Sequence, residues 1–246
     1  MKHYHGTPVG GRREDAARFL VGRHALVPWL RQDDLSAVAE CCQSFVFDNS
    51  AYSAFNSGKS LDVDGFTRWT EAWRHHPGFD WALIPDVIAG SEQDNDALLR
   101  DWPRHLKAVG VPVWHLHESI ERLARLCREW DTVALGSSGQ WATPGGSDWW
   151  CRIAEAMAAI CDADGRPMAR LHGLRMLDPE IFTRLPFASA DSTNAAVNAG
   201  SLSRFGIYKP ATNAQRAAVI ADRIERFNSA AVWRRQALQA DLLMAH

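Results

Sequence analysis

Through the first 190 residues, short apolar runs alternate with stretches in which apolar side chains return every three or four positions. The runs are Lys2–His5, Ala25–Pro28, Phe45–Asp48, Trp81–Val87, Val111–His117, Thr132–Gly136, Ala169–Met176 and Phe187–Asp191. Runs this short and apolar predict strands buried on both faces. The stretches between them, among them Val63–Trp73, Asn95–Val109, Ser119–Trp130 and Trp149–Cys161, predict helices. Alternating strands and helices imply repeated βα units on a parallel sheet. Up to eight such units fit a (β/α)8 TIM-like barrel. A doubly wound open sheet is the alternative, but the Gly-rich dinucleotide turn that would favour it is absent. After Pro210 a final amphipathic, Arg-rich helix is expected from about Asn213 to Ala240.

Composition narrows this reading. The chain has 246 residues, 46% of them apolar, which suits one barrel domain over 1–246 with 210–246 as a basic helical tail. With 27 basic and 29 acidic residues the net charge is −2, so no global basic field marks a nucleic-acid coat. The charge is unevenly spread. Residues 201–246 hold seven Lys/Arg and three Asp/Glu, a balance of +4, which leaves −6 on residues 1–200. Five cysteines without a C-x-x-C pair signal neither a disulfide framework nor a thiolate zinc knuckle. Together with a polar start, Met1-Lys2-His3-Tyr4-His5, and no long apolar run, they suggest a cytoplasmic protein.

Candidate chemistry sits where the strands end. Polar residues follow the apolar run each time, as in Phe47-Asp48-Asn49-Ser50, Ile84-Pro85-Asp86, Trp114-His115-Leu116-His117-Glu118, Leu135-Gly136-Ser137, Leu171-His172 and Ala190-Asp191-Ser192. Strand ends of a barrel converge on one mouth, so these residues would share a site. A single Asp there often caps the next helix. Three of them, Asp48, Asp86 and Asp191, each closing a strongly apolar run, point to use, because burying an unpaired carboxylate is costly. In glycosyl transfer one carboxylate attacks the anomeric carbon and a second moves protons. A third can accept hydrogen bonds from the N–H edge of a nucleobase leaving group.

These blocks resemble a known family. Phe47-Asp48-Asn49-Ser50-Ala51-Tyr52-Ser53 is similar to the DSGGFQ-type segment of tRNA-guanine transglycosylases. It resembles more closely the counterpart in their DNA-acting relatives, the 7-deazaguanine DNA transglycosylases of phages and bacteria. His5-Gly6-Thr7-Pro8, Ile84-Pro85-Asp86, Pro112-Val113-Trp114-His115-Leu116-His117-Glu118, Ala134-Leu135-Gly136-Ser137-Ser138-Gly139 and Ala190-Asp191-Ser192 agree in order over residues 5–194. The resemblance implies a (β/α)8 barrel that exchanges guanine in DNA for a 7-deazaguanine such as preQ0 through a covalent aspartyl intermediate. It makes Asp191 the nucleophile, Asp48 the acid/base and Asp86 the residue that reads the base. Gly136 and Ser137 line the base pocket, Asn49 joins them, and His115, His117 and Glu118 position the base or the sugar phosphate.

The departures matter as much. Ser50-Ala51 replaces a Gly-Gly pair, Ser137 replaces a second glycine, and nothing after Cys161 could supply the zinc subdomain of the tRNA enzymes, so no cofactor is expected. DNA presented as a flipped or single-stranded guanine is the expected partner. Arg12 and Arg13 after the first strand and Arg204 and Lys209 in the tail are candidate phosphate contacts, with Tyr52, Trp114 and Trp141 as stacking surfaces. An accessory DNA-opening protein and the oligomeric state are left open. The rival reading is a metal-dependent hydrolase of the amidohydrolase type, built on His3-x-His5, His115-x-His117, His172 and Asp191. A barrel kept only as a binding module is a third.

Overall fold

The computed structural model describes residues 1–7 and 13–234. Its strands are β1 (Lys2–Gly6), β2 (His24–Pro28), β3 (Ser44–Asp48), β4 (Phe79–Leu83), β5 (Gly110–Val111), β6 (Val113–His115), β7 (Thr132–Gly136), β8 (Arg170–Gly173) and β9 (Ser189–Ser192). Helices α1 (Arg13–Leu20), α2 (Leu35–Cys41), α3 (Ala51–Ser57), α4 (Val63–Trp73), α5 (Glu92–Asp101), α6 (Ile120–Glu129), α7 (Ser147–Ile160), α8 (Pro179–Phe182), α9 (Asn194–Asn198) and α10 (Asn213–Glu225) follow between and after them.

All strand pairs are parallel, in the order β5-β4-β3-β2-β1-β9-β8-β7-β6. The two outermost strands are consecutive in the chain, separated only by Pro112, so the sheet curls into a nearly closed TIM-like α/β barrel. The run expected as one strand, Val111–His117, is two short strands because proline has no N–H to give to the ladder. Its neighbours bond on opposite sides: the Val111 carbonyl accepts from the Ile84 amide beyond β4, and the Pro112 carbonyl accepts from Ala134 of β7. Counting the split strand once, β3 and β8 face each other across the mouth, with β2, β1 and β9 between them one way and β4, the split strand and β7 the other.

Alternation along the strands decides what faces inward. Tyr4, Leu26, Val46, Trp81, Leu83, Val111, Val113 and Ala134 fill the barrel in two small clusters. Phe45, Phe47, Val133, Leu135 and Leu171 belong instead to the larger core under the helices. Phe47 stacks on Trp69 of α4 at 3.5 Å and 11° and meets Phe79 at 4.8 Å. With Phe47 anchored outward by these aromatic contacts, the next residue, Asp48, must face the interior.

The opposite end of the barrel is closed by polar side chains. Lys2 Nζ lies 2.8 and 2.7 Å from the two oxygens of Asp80, the Tyr4 hydroxyl donates to Asp80 at 2.7 Å, and the Ser44 hydroxyl also donates to it. Burial pushes the Asp80 carboxyl up, but the bonds from Lys2, Ser44 and Tyr4 outweigh it and hold the group below its ordinary value.

Two expected helices are shorter than the sequence suggests. Asn95–Val109 is α5 ending at Asp101, then a 3-10 turn over Arg104–Val109, because Pro103 drives Trp102 into extended geometry (φ −61°, ψ 128°). The terminal helix ends at Glu225 rather than Ala240. The chain from Phe227 to Arg234 is not helical, and residues 235–246 lie outside the described residues. The helix starts on a capping box of Thr212 and Gln215 and ends beside β1, where Glu225 Oε1 lies 2.8 Å from His5 Nε2 and 3.1 Å from Arg23 Nε. Among the described residues no helix is long and apolar enough to cross a membrane.

Candidate active site

A cavity of about 560 Å³ opens at the C-terminal ends of the strands. Asp48, Asp86 and Asp191 all line it, with Asn49, His115, Gly136, Ser137, Tyr52, Arg31 and Arg175. Larger but shallower space, about 870 Å³ around Trp130, Met168 and Phe187, contains none of these carboxylates. The mouth of such a barrel gathers side chains that are far apart in sequence, which is how β3, the loop after β4 and β9 each deliver one aspartate.

Their environments differ. Asp48 ends β3, and its Oδ1 accepts from the Ser50 amide at 3.1 Å. Burial pushes its carboxyl up against that bond, and the charges of Asp191 and Asp86 add to the shift, so it is raised from 3.8 to about 7. Asp86 is held from both sides: Asn49 Nδ2 donates to Oδ1 at 2.7 Å, and His115 Nε2 donates to Oδ2 at 2.8 Å. Asn49 also donates to the Ile84 carbonyl at 2.9 Å and accepts from the Ala51 amide at 2.7 Å, which locks its amide plane. Asp191 Oδ2 lies 3.0 Å from His172 Nε2, and Oδ1 accepts from the Arg175 amide at 3.3 Å.

His172 is fully buried inside the barrel, edge-on to Trp81 at 4.7 Å and to Tyr4 at 6.0 Å. A carboxylate can only accept, so His172 carries its proton on Nε2 and takes one from the Ser189 hydroxyl at Nδ1, 2.8 Å away. His115 donates through Nε2 in the same way, and its buried Nδ1 has no hydrogen-bond partner among the described residues. Gly136 makes room for this ring, since a Cβ there would come within 3.0 Å of Nδ1. Ser137 is fixed by Trp149, whose Nε1 donates to its hydroxyl at 2.9 Å.

Backbone strain is concentrated at this mouth. Among the described residues only two non-glycine residues have positive φ, Ser50 (64°) and Arg175 (58°), and each is bonded to a cavity aspartate. Left-handed geometry at such residues costs on the order of 1 kcal/mol or more and persists where the surroundings impose it, commonly at functional sites. The Ser50 hydroxyl accepts the Leu30 amide at 3.2 Å, a bond that glycine could not make. The Arg175 guanidinium lies 4.1 Å from the centre of the Tyr52 ring, and its Nη2 reaches the Ser137 carbonyl at 3.4 Å. The Asn56 side chain and the Arg175 charge hold the Tyr52 hydroxyl below its ordinary value.

Not every candidate reaches the cavity. His117 is tied elsewhere, Nδ1 to the Ser138 hydroxyl at 2.7 Å and Nε2 to the Gly90 carbonyl at 3.1 Å, and it does not line the space. Glu118 is buried in an ion pair with Arg122 at 2.6 Å and accepts the His115 amide at 2.8 Å, so it props the strand end rather than facing a ligand. Trp114 is core and Trp141 packs against it, which leaves Tyr52 as the cavity's aromatic surface. Arg204 and Lys209 are exposed on the chain between α9 and α10. Arg12 and the side chain of Arg13 lie outside the described residues.

The imidazoles of the rival reading do not converge. His5 faces outward onto Glu225 and Phe19, and His3 Nε2 meets the Phe227 carbonyl at 3.2 Å, whereas His172 is inside the barrel. Among the described residues no three His, Cys, Asp or Glu side chains are placed to hold one metal ion. Sequence reasoning passed over Arg31 and Arg175. Arg175 lies two residues past the end of β8, beyond the polar residues picked out at the strand end, and its reach across the mouth has no local signature. Comparison with protein-family models, with curated proteins and with solved structures finds no match to this chain.

Proposed function

We propose that the protein exchanges guanine in DNA for a 7-deazaguanine base such as preQ0. The observation that carries this reading is the meeting of three aspartates in one cavity, each in a different electrostatic setting. Asp191, hydrogen-bonded by His172 and the Arg175 amide, attacks C1′ of the deoxyribose. The C1′–N9 bond breaks, and the departing guanine takes the proton held by Asp48. Asp48, now ionised, accepts the N9 proton of the incoming deazaguanine, whose nitrogen attacks C1′ and releases Asp191. A carboxylate holding two hydrogen bonds is a weaker nucleophile but a better leaving group, which suits a reaction that must run both ways. A carboxyl raised to about 7 is poised for both proton transfers near neutral pH. Asp86, oriented by Asn49 and His115, keeps lone pairs for the N1–H and amino group of a guanine-like base.

The test is exchange itself. The purified protein, DNA and labelled guanine or preQ0 should give incorporation, and intact-mass analysis should find a protein–DNA adduct. Asp191→Asn should lose both, with exchange down on the order of 10³-fold or more. Exchange at the wild-type rate by that variant would sink the covalent mechanism. A deazaguanine found in RNA but not DNA of expressing cells would move the substrate to RNA.

A further inference from the structure

We infer that Arg175 is a phosphate-operated gate on the base cavity. At rest its guanidinium lies on Tyr52 at the cavity mouth, and a phosphodiester of the polynucleotide draws it away so that a base can stack there. The inference rests on the reading above that the cavity takes a purine-like base.

The geometry is that of a bar across the mouth. Tyr52 rises from α3, directly after β3, and Arg175 follows β8, the strand on the far side of the ring. The guanidinium reaches the Tyr52 ring from across the opening, at 4.1 Å, and both side chains line the cavity. A guanidinium and a nucleobase are both flat, and one ring face cannot hold both. While Arg175 is there, the aromatic surface of the cavity is taken.

The bar is lightly held. Arg175 is exposed, among the described residues its guanidinium forms no ion pair, and what holds it is a long bond to the Ser137 carbonyl at 3.4 Å and a hydrogen bond to the exposed Tyr52 hydroxyl. Its backbone, by contrast, is fixed: the residue sits at φ 58° with its amide on Asp191 Oδ1. The side chain can therefore swing without disturbing the Asp191 carboxylate. A planar, permanently charged guanidinium exchanges readily from an aromatic face to a phosphate oxygen, where two parallel N–H bonds are available. The consequence is an order of binding, with the polynucleotide first and the free base second. That order protects the cavity from filling with free guanine before DNA arrives.

The experiment measures free preQ0 and guanine binding by calorimetry to wild type, Arg175→Ala and Arg175→Gln. Each is measured alone, with an oligonucleotide carrying an abasic site, and with inorganic phosphate. An exposed cation–π contact implies that wild type alone binds base roughly two- to fivefold more weakly than Arg175→Ala. The abasic oligonucleotide should bring wild type up to the Arg175→Ala affinity and leave that variant unchanged, a coupling that a merely structural role would not produce. A gain from both additives assigns the trigger to phosphate as such, and a gain from the oligonucleotide alone assigns it to the backbone; either upholds the gate. Equal base affinity in wild type and both folded variants overturns the gate and leaves base exchange standing. No base bound by any of them, with or without DNA, removes base exchange and the gate together. Thermal melts of both variants check that they are folded, and Arg175→Gln, planar but neutral, keeps the test open should Arg175→Ala unfold.

Discussion

Replacing Asp48 by asparagine should make the protein more stable at pH 8 while abolishing the base exchange proposed above. In the folded chain burial, with Asp191 and Asp86 nearby, raises the carboxyl from 3.8 to about 7. The unfolded chain releases that proton near the ordinary value, so between about pH 4 and pH 7 the native state binds more protons than the unfolded one. Stability from this group therefore falls as pH rises through that window and stays low above it. About three pKa units at 1.36 kcal/mol each set a ceiling of about 4 kcal/mol, and partial solvation at the mouth reduces the expected gain to roughly 2–4 kcal/mol. Asparagine is nearly isosteric, keeps an acceptor for the Ser50 amide, and carries no charge for Asp191 and Asp86 to oppose. Urea unfolding of wild type and Asp48→Asn at intervals from pH 4 to pH 8 measures this directly. The curves should converge near pH 4 and separate in favour of the variant above pH 7. Parallel curves would refute the raised pKa and with it the proposed role of Asp48 as a neutral-pH proton carrier.

Other outcomes follow from the same contacts. His172→Ala should lower stability by about 2–4 kcal/mol, since it leaves a hole between Tyr4 and Trp81 and removes the donor on Asp191; a urea midpoint within error of wild type would dismiss His172 as that carboxylate's support. Asp80→Asn should cost about 1–3 kcal/mol at pH 6 by loosening the Lys2, Tyr4 and Ser44 contacts. Because the Asp80 carboxyl is held below 3.8, that difference should shrink as pH falls below about 4, and a pH-independent difference would show that packing dominates. On the proposed function, Arg204→Glu with Lys209→Glu should weaken DNA binding, reduce the slope of log K against log salt by about 0.9 per lost phosphate contact, and leave free-base binding unchanged. An unaltered salt slope would remove that segment from the DNA interface.

Much of the fold was legible in the residue order because strand and helix patterns are local. Val63–Trp73 and Thr132–Gly136 can be read from periodicity to the residue. The errors sit at prolines, where Pro112 splits a strand and Pro103 ends a helix, and at the end of α10, whose amphipathic pattern runs on past the last helical turn. The site was legible in part for the same reason. Polar residues at the ends of apolar runs lie at one end of a parallel sheet, and Asp48, Asp86 and Asp191 do line one cavity. His3 and His5 were misleading because alternation shows that they share a side of β1 but not which side. That was decided when Tyr4 packed inward on Trp81 and His172.

By itself, then, the sequence determines the alternation of elements, the parallel sheet and the end at which the polar strand-end residues collect, since all three depend on spacings of two, three or four residues. Only the tertiary structure decides the rest. The raised pKa of Asp48 depends on burial beside carboxylates from two other strand ends, and the tautomer of His172 on Ser189 and Asp191. The bar between Arg175 and Tyr52 exists because closing the ring sets β3 opposite β8. Electrostatics and reach act through space, and distance along the chain carries no record of them until the barrel curls.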